Sequence, residues 1–261
     1  MATNWSWTAG SCTACSINCP GNDPGMRRNL IISGGIYHPF TETSAAVADL
    51  LLPLGVQSDI IDDVDAGIDA VEGGEYDLLT VNALRWRMLN HDKYIPFRAE
   101  WQFELSPRRQ KALTQFIVAG GALLGLHTAS ICFDTWEGWL DLLGARWNWD
   151  ASFHPEPAPL EVRPGSTDHV IVRGLKPFRV TDELYHHLEV MPDTDVLLYA
   201  DAPANGVPQA LMFARHVGAG RTVYDALGHD AQSLSEPTHI RLLRRSAAWV
   251  LGWSDSQVEA L

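Results

Sequence analysis

FIVAGGALLGLHTAS, from Phe116 to Ser130, is the stretch on which the reading of the fold turns. Leu113, Phe116 and Ile117 lie on one side of a helix, and Gly120-Gly121 ends it, since glycine takes the left-handed conformation that closes a helix. Ala122 to Leu126 follows as a short, wholly apolar run. Such a run bounded by glycines reads as a strand buried on both faces, as in the middle of a parallel sheet. Gly125-Leu126-His127-Thr128-Ala129 then has the small-x-X-x-small shape of a nucleophile elbow, where a strand turns sharply into a helix and needs small neighbours. His127 stands where hydrolases carry serine and glutaminases cysteine. The plain alternative is a histidine at a strand end, bonded to a loop carbonyl.

Outward from this stretch the chain alternates strand and helix. Asn29 to Ser33 is the first buried strand, released by Gly34-Gly35 into the loop Ile36-Tyr37-His38-Pro39-Phe40. Thr41 can cap a helix through Leu52, with Ala46, Val47, Leu50 and Leu51 at helical spacing. Val56 to Ile61, a short helix from Asp65 to Val71, and a strand from Tyr76 to Val81 complete β-α-β-α-β with short links. That pattern implies right-handed crossovers and a parallel sheet. From Arg85 to Leu105 the period breaks, and Trp86, Tyr94, Phe97, Trp101 and Phe103 cluster in a long loop. A loop of that kind either packs on the sheet edge or covers a site.

Ser106-Pro107 restarts the helix that leads into the opening stretch. Beyond the elbow, Thr135 to Leu143 reads as a helix stopped by Gly144, and a tryptophan-rich link runs to Phe153-His154-Pro155. Leu160 to Val162 is a short strand, and Asp168 to Val172 a turn with an apolar run. Thr181 to His187 is the densest polar cluster in the chain. Val196 to Tyr199, Gln209 to Ala214 and Thr222 to Leu227 are late strands, and Thr238 to Leu251 is the closing helix. The organisation is an arm over residues 1–27 and one α/β domain over residues 28–261.

With 261 residues, 46% hydrophobic and 20% charged, the chain has the make-up of a globular protein able to bury a full sheet. A formal charge of −13 argues against a nucleic-acid partner and against anionic membrane surfaces. No run approaches a membrane span, and the first residues lack the basic start and apolar core of a signal peptide, so a cytoplasmic protein is expected. Cys12, Cys15 and Cys19 form C-x2-C-x3-C in the arm, with Cys132 as a conceivable fourth thiolate. The spacing matches no zinc or iron–sulfur signature, and incidental cysteines in a flexible arm are expected. Nothing points to a nucleotide cofactor, and homo-oligomerisation is left open.

Five motifs in order carry a family resemblance: GG-x-x-HPF at Gly34 to Phe40, GGALLGLH at Gly120 to His127, FHP at Phe153 to Pro155, DELY at Asp182 to Tyr185, and GAGRTVYDALGHD at Gly218 to Asp230. Together they resemble the ThuA-like (trehalose utilisation) family over roughly residues 28–252. The resemblance implies the class I glutamine amidotransferase-like, flavodoxin-like fold: three layers around a mostly parallel sheet. The sequence departs from the family pattern at Val170, where proline is more usual, and at His186-His187, where aromatics are.

In open parallel sheets, ligands bind outside the carboxyl ends of the strands. His38, His127 and His229 each follow an apolar run and are expected on that rim, with Glu183 or His187 reaching it from the inserted segment. Imidazoles with a carboxylate suit zinc or a similar divalent ion, so His127, His229 and Glu183 are metal candidates, with Asp182 and Asp230 as orienting groups. A metal-free site, in which the imidazoles move protons or bind sugar hydroxyls, stays open.

The resemblance implies a carbohydrate substrate, a keto-sugar or keto-disaccharide, transformed by proton transfer in an isomerisation, elimination or hydrolysis. Glu183 or His229 is then the candidate base, Glu183 on the expectation that burial and Asp182 raise its pKa. His127, with the backbone N–H groups of Thr128 and Ala129, would hold developing negative charge. Tyr37, His38, His154, Asp182, Tyr185 and Asp230 are candidate substrate-binding residues. A sugar-binding or interaction module needs the same residues without a base. Glutaminase chemistry lacks a thiol at the elbow, because Cys132 lies five residues past His127.

Overall fold

The computed structural model describes residues 25–202 and 206–261. Cys12, Cys15 and Cys19 lie outside them. The strands are β1 (Arg27–Gly34), β2 (Val56–Ile61), β3 (Leu78–Ala83), β4 (Ala122–Leu126), β5 (Ala145–Arg146), β6 (Ala158–Pro164), β7 (Phe178–Asp182), β8 (Glu189–Val190), β9 (Asp195–Asp201), β10 (Pro208–Val217) and β11 (Gly220–Asp225). One sheet has the order β2-β1-β3-β4-β11-β10-β9-β6-β7, and β5 pairs with β8 apart from it. The stretch from β2 to β11 is parallel throughout. The remaining strands extend the sheet antiparallel through β10.

Every residue of β3 and of β4 is buried, as the all-apolar run at Ala122 to Leu126 requires of a strand covered on both faces. Helices Phe40–Leu51 and Pro237–Val250 pack on one side of the parallel half. Helices Val64–Glu72, Pro107–Val118 and Glu137–Leu143 form the group on the other side. Among the described residues no helix is long and apolar enough to cross a membrane.

Several boundaries move for physical reasons. The first helix begins at Phe40 with Pro39 as its cap residue, and Thr41 caps nothing. Thr43 instead turns its hydroxyl back to the Pro39 carbonyl, 3.3 Å away. Asp63 caps the second helix through the Ala66 N–H. Tyr76 stays outside β3, because its hydroxyl donates to Asp59 at 3.0 Å on the surface. Asp168 to Val172 forms turns and no strand, although Val170, Ile171 and Val172 are buried.

Below the first loop, Asn82 donates to Thr43 and Ser44, both at 2.9 Å, and Ser44 meets Ser33 at 2.7 Å. This buried set fastens the start of the Phe40–Leu51 helix to β1 and β3, and so fixes the loop that carries His38.

Although β7 is the far edge of the sheet, the carboxylate of its last residue, Asp182, accepts from Gly228 N at 2.7 Å just past β11. The sheet therefore curls until its antiparallel edge closes over the carboxyl ends of the parallel strands.

Candidate functional site

His127 leaves β4 with a φ of 45°, a left-handed backbone uncommon for L residues, though histidine takes it more readily than most. The turn is held by Tyr224, whose hydroxyl lies 2.8 Å from both the His127 carbonyl and the Ser130 hydroxyl. Gly125 and Ala129 flank it closely: a Cβ on Gly125 would stand 2.4 Å from Leu143 Cδ1 and 3.3 Å from Ala129 Cβ. The elbow is thus present, but the segment after it, His127–Ile131, is a 3-10 turn and not an α-helix. Thr128 and Ala129 are buried in that turn, and the Thr128 hydroxyl donates to the Ala83 carbonyl at 2.7 Å.

His38 after β1, His127 after β4 and His229 after β11 converge on one rim. Their ring centroids lie 5.0 Å (His38–His127), 4.9 Å (His38–His229) and 5.5 Å (His127–His229) apart. Glu183, the residue after β7, is the hub. Its Oε2 is 3.2 Å from His127 Nε2 and 3.7 Å from His38 Nε2. Its Oε1 is 3.3 Å from His154 Nδ1 and 3.4 Å from His229 Nδ1. His187 does not share the rim. It is exposed, and its N–H donates to Gln209 at 3.1 Å.

Backbone carbonyls set the tautomers, since a carbonyl only accepts. His127 Nδ1 donates to Ala226 O at 2.7 Å, and His38 Nδ1 to Ile36 O at 3.2 Å. In the neutral rings both Nε2 lone pairs then point at an oxygen lone pair of Glu183. A proton or a cation between them makes that arrangement favourable, and the Tyr185 hydroxyl is a further donor beside His127 Nε2. Among the described residues, His38 Nε2, Glu183 Oε2 and His229 Nδ1 are buried polar atoms without a hydrogen-bond partner.

One ligand atom from each of His38, His127, Glu183 and His229 can be chosen so that all lie within 4.8 Å of one another. Three imidazoles and a carboxylate are the donor types a zinc-like divalent ion takes, and tetrahedral donors on bonds of about 2.0–2.2 Å would stand closer than this, about 3.3–3.6 Å apart. His38, read from sequence as a substrate contact, thus joins His127, His229 and Glu183 in the donor set.

The electrostatics point the same way. Burial alone would raise the Glu183 carboxyl, but the imidazoles of His127, His229 and His38 beside it outweigh burial and hold the group well below the usual carboxylate range. The expectation of a raised Glu183 is therefore overturned. Burial lowers His38, which keeps that ring neutral, whereas the bond to Glu183 raises His229.

Asp182, read from sequence as a like charge beside Glu183, turns its carboxylate to backbone instead. It is buried, and its oxygens accept from the N–H groups of Glu183 at 2.7 Å, Gly228 at 2.7 Å and His229 at 3.4 Å. Asp230 caps the short Ala231–Leu234 helix through Ser233 N. Both acids brace backbone instead of lining the cavity.

Above the histidines lies a cavity of about 440 Å³, lined by Tyr37, His38, Glu183, Tyr185, His154 and His229 and walled by Trp86, Tyr94, Trp147 and Trp149. Tyr185 is buried, with its hydroxyl 3.2 Å from His127 Nε2, and burial raises its pKa so that it stays a donor. Tyr37 is 60% exposed and holds a φ of 68°, and Trp149 is 39% exposed, so both offer aromatic faces.

The long loop after Arg85 divides its work. Trp86 and Tyr94 reach the cavity, while Trp101 lies under the Arg85 guanidinium and Phe103 packs on Phe133. Trp147 and Trp149 were not singled out from sequence, where only their alternate spacing marked them.

Cys132 is buried, its thiol donates to Ala83 O at 3.1 Å, and burial pushes it up to about 12. Among the described residues no activated thiolate stands near the elbow.

No curated protein matches the sequence. Among solved structures, a ThuA-like protein of Parabacteroides merdae superposes with a TM-score of 0.68 at 17% identity, over 87% of this chain and 90% of that one. A ThuA-like protein of Bacteroides uniformis gives 0.61 at 17% identity, over 94% and 95%. A cytoplasmic protein of Salmonella typhimurium gives 0.59 at 12% identity, over 85% and 99%. At these identities the likeness is one of fold. The profile of the family described as trehalose utilisation matches residues 35–250, a span that runs from the His38 loop through His127, Glu183 and His229 to the end of the closing helix, and the chain belongs to this ThuA family.

Proposed function

We propose that the pocket acts on a keto-sugar or keto-disaccharide by proton transfer, in an isomerisation, elimination or hydrolysis, with a divalent ion held by His38, His127, His229 and Glu183. The observation that carries this reading is the convergence of ring nitrogens of His38, His127 and His229 on one ionised carboxylate at the carboxyl ends of β1, β4 and β11. Family membership supplies the carbohydrate context.

A keto-sugar has an acidic hydrogen beside its carbonyl, and its loss leaves an enediolate that needs stabilisation. A divalent ion held by His38, His127, His229 and Glu183 would supply Lewis acidity for it. Tyr185 presents its O–H beside it, and the aromatic wall gives the apolar faces of a sugar ring a surface to stack on. A cytoplasmic location goes with this reading.

The exposed faces of Tyr37 and Trp149 would serve a non-catalytic sugar-binding module equally well, and that is the second reading. One experiment separates the two. Protein purified without added metal is analysed for bound ions, then incubated with 3-keto-disaccharides, unmodified sugars and glutamine, with and without chelator. The enzyme reading expects bound divalent metal and chelator-sensitive turnover of the keto-sugar alone. Tight sugar binding with no turnover of any substrate would establish the module.

A further inference from the structure

We infer that His154, not Glu183 or His229, is the base that moves the substrate proton. The inference rests on the keto-sugar reading above and deepens it. Four imidazoles touch Glu183, and three of them carry the atoms that form the donor set. His154 is the fourth, and it stands apart in two ways.

Its side chain is 39% exposed at the cavity wall, against 2% for His127 and 10% for His38. Its Nδ1 faces the Pro155 carbonyl at 3.1 Å and Glu183 Oε1 at 3.3 Å. Both partners are acceptors, so Nδ1 bears the hydrogen and Nε2 the lone pair. Among the described residues Nε2 has no partner. A carboxylate that orients an imidazole from behind through its Nδ1–H is the arrangement of a histidine–acid dyad.

The loop that carries His154 is also held. Phe153 bridges His186 through His186 N to Phe153 O at 2.9 Å, and their rings stack at 4.4 Å. Trp147 meets the His154 ring edge-on at 6.0 Å. An exposed histidine in a loop needs neither contact for stability, but a base must keep its place.

The step balances without a co-reactant. Nε2 takes the hydrogen beside the keto group as a proton. The C–H pair becomes part of the C–C double bond, and the carbonyl π pair moves onto oxygen. In an isomerisation the neighbouring hydroxyl passes its proton to the enediolate oxygen and becomes the new carbonyl as the imidazolium, facing Glu183 through Nδ1–H, protonates the former carbonyl carbon. In an elimination the oxygen pair re-forms the carbonyl, the C–C double bond shifts, the glycosidic C–O bond breaks, and the imidazolium protonates the departing oxygen.

The test is hydrogen–deuterium exchange of a 3-keto-disaccharide in D₂O, followed by proton NMR, with bound metal and sugar affinity measured on the same preparations. Wild type should exchange. His154→Ala should lose exchange by about 10²- to 10⁴-fold, the usual contribution of a positioned base, with metal content and affinity within a few-fold of wild type. Added imidazole should restore part of the rate, and His154→Gln, which keeps the hydrogen-bonding shape, should be as slow as His154→Ala. Exchange within about threefold of wild type in either variant would overturn the assignment and leave the keto-sugar reading standing. Loss of metal together with exchange would overturn it in favour of a structural role. Absence of exchange in wild type would sink the keto-sugar reading itself, and this assignment with it.

Discussion

Glu183 touches four imidazoles with two oxygens, and that placement decides which work it does. A base at neutral pH needs a raised carboxyl, and this one is held ionised by its neighbours, so it suits the role of ligand and charge anchor. Glu183→Gln is therefore expected to weaken metal affinity by more than about 10-fold, since changes merely behind a ligand already cost 10- to 100-fold. Metal analysis after dialysis checks this, and full metal retention with lost turnover would return the base role to Glu183. Cys132 calls for the opposite forecast. With its thiol buried and held protonated, the protein should not hydrolyse glutamine, and Cys132→Ala should leave keto-sugar turnover unchanged. Glutamine hydrolysis abolished by that substitution would show that the thiol is reactive after all.

At the scale of elements, the elbow works because two small residues let β4, the Glu137–Leu143 helix and the 3-10 turn meet. Gly125→Val would press a branched side chain against Leu143, which is itself buried, and overpacking of this kind costs about 1–3 kcal/mol. Urea unfolding should register that loss. A neutral result would mean that the helix can retreat without cost. The elbow was legible in the sequence because its signals are local: glycines at both ends, an apolar run between, small residues around His127. The position of Glu183 was not. It depends on the curl that brings the end of β7 over the end of β11, and no local pattern encodes how far a sheet curls. The sign of its pKa shift failed for the same reason. Asp182 was a charged neighbour in sequence, but in the fold its carboxylate faces three backbone amides.

At the scale of the whole molecule, the parallel half was readable as β-α-β units, and its rim histidines followed from where each apolar run stops. The antiparallel half was read only as scattered late strands, since its strands alternate in burial and pair at long range. One buried pair ties these levels together, joining the closing helix to the sheet below the site. His239 and Asp225 are fully buried, and His239 Nε2 lies 3.0 Å from Asp225 Oδ2. His239 Nδ1 faces the Ser233 carbonyl at 2.9 Å, so both ring nitrogens must donate and the ring is an imidazolium. Burial pulls its pKa down, but the Asp225 charge and the bonds to Asp225 and Ser233 outweigh that, and the net shift is upward. A raised folded pKa means that the stabilisation is complete below the unfolded value of about 6.5 and is lost as pH rises through the folded value. His239→Gln leaves Asp225 as an uncompensated buried charge, a change that costs about 3–5 kcal/mol. The stability gap between wild type and His239→Gln should therefore be widest near pH 6 and narrow as the pH is raised above the folded pKa. Denaturant unfolding of both proteins across that range measures it, and a gap that widens with pH would mean that the buried ring is neutral.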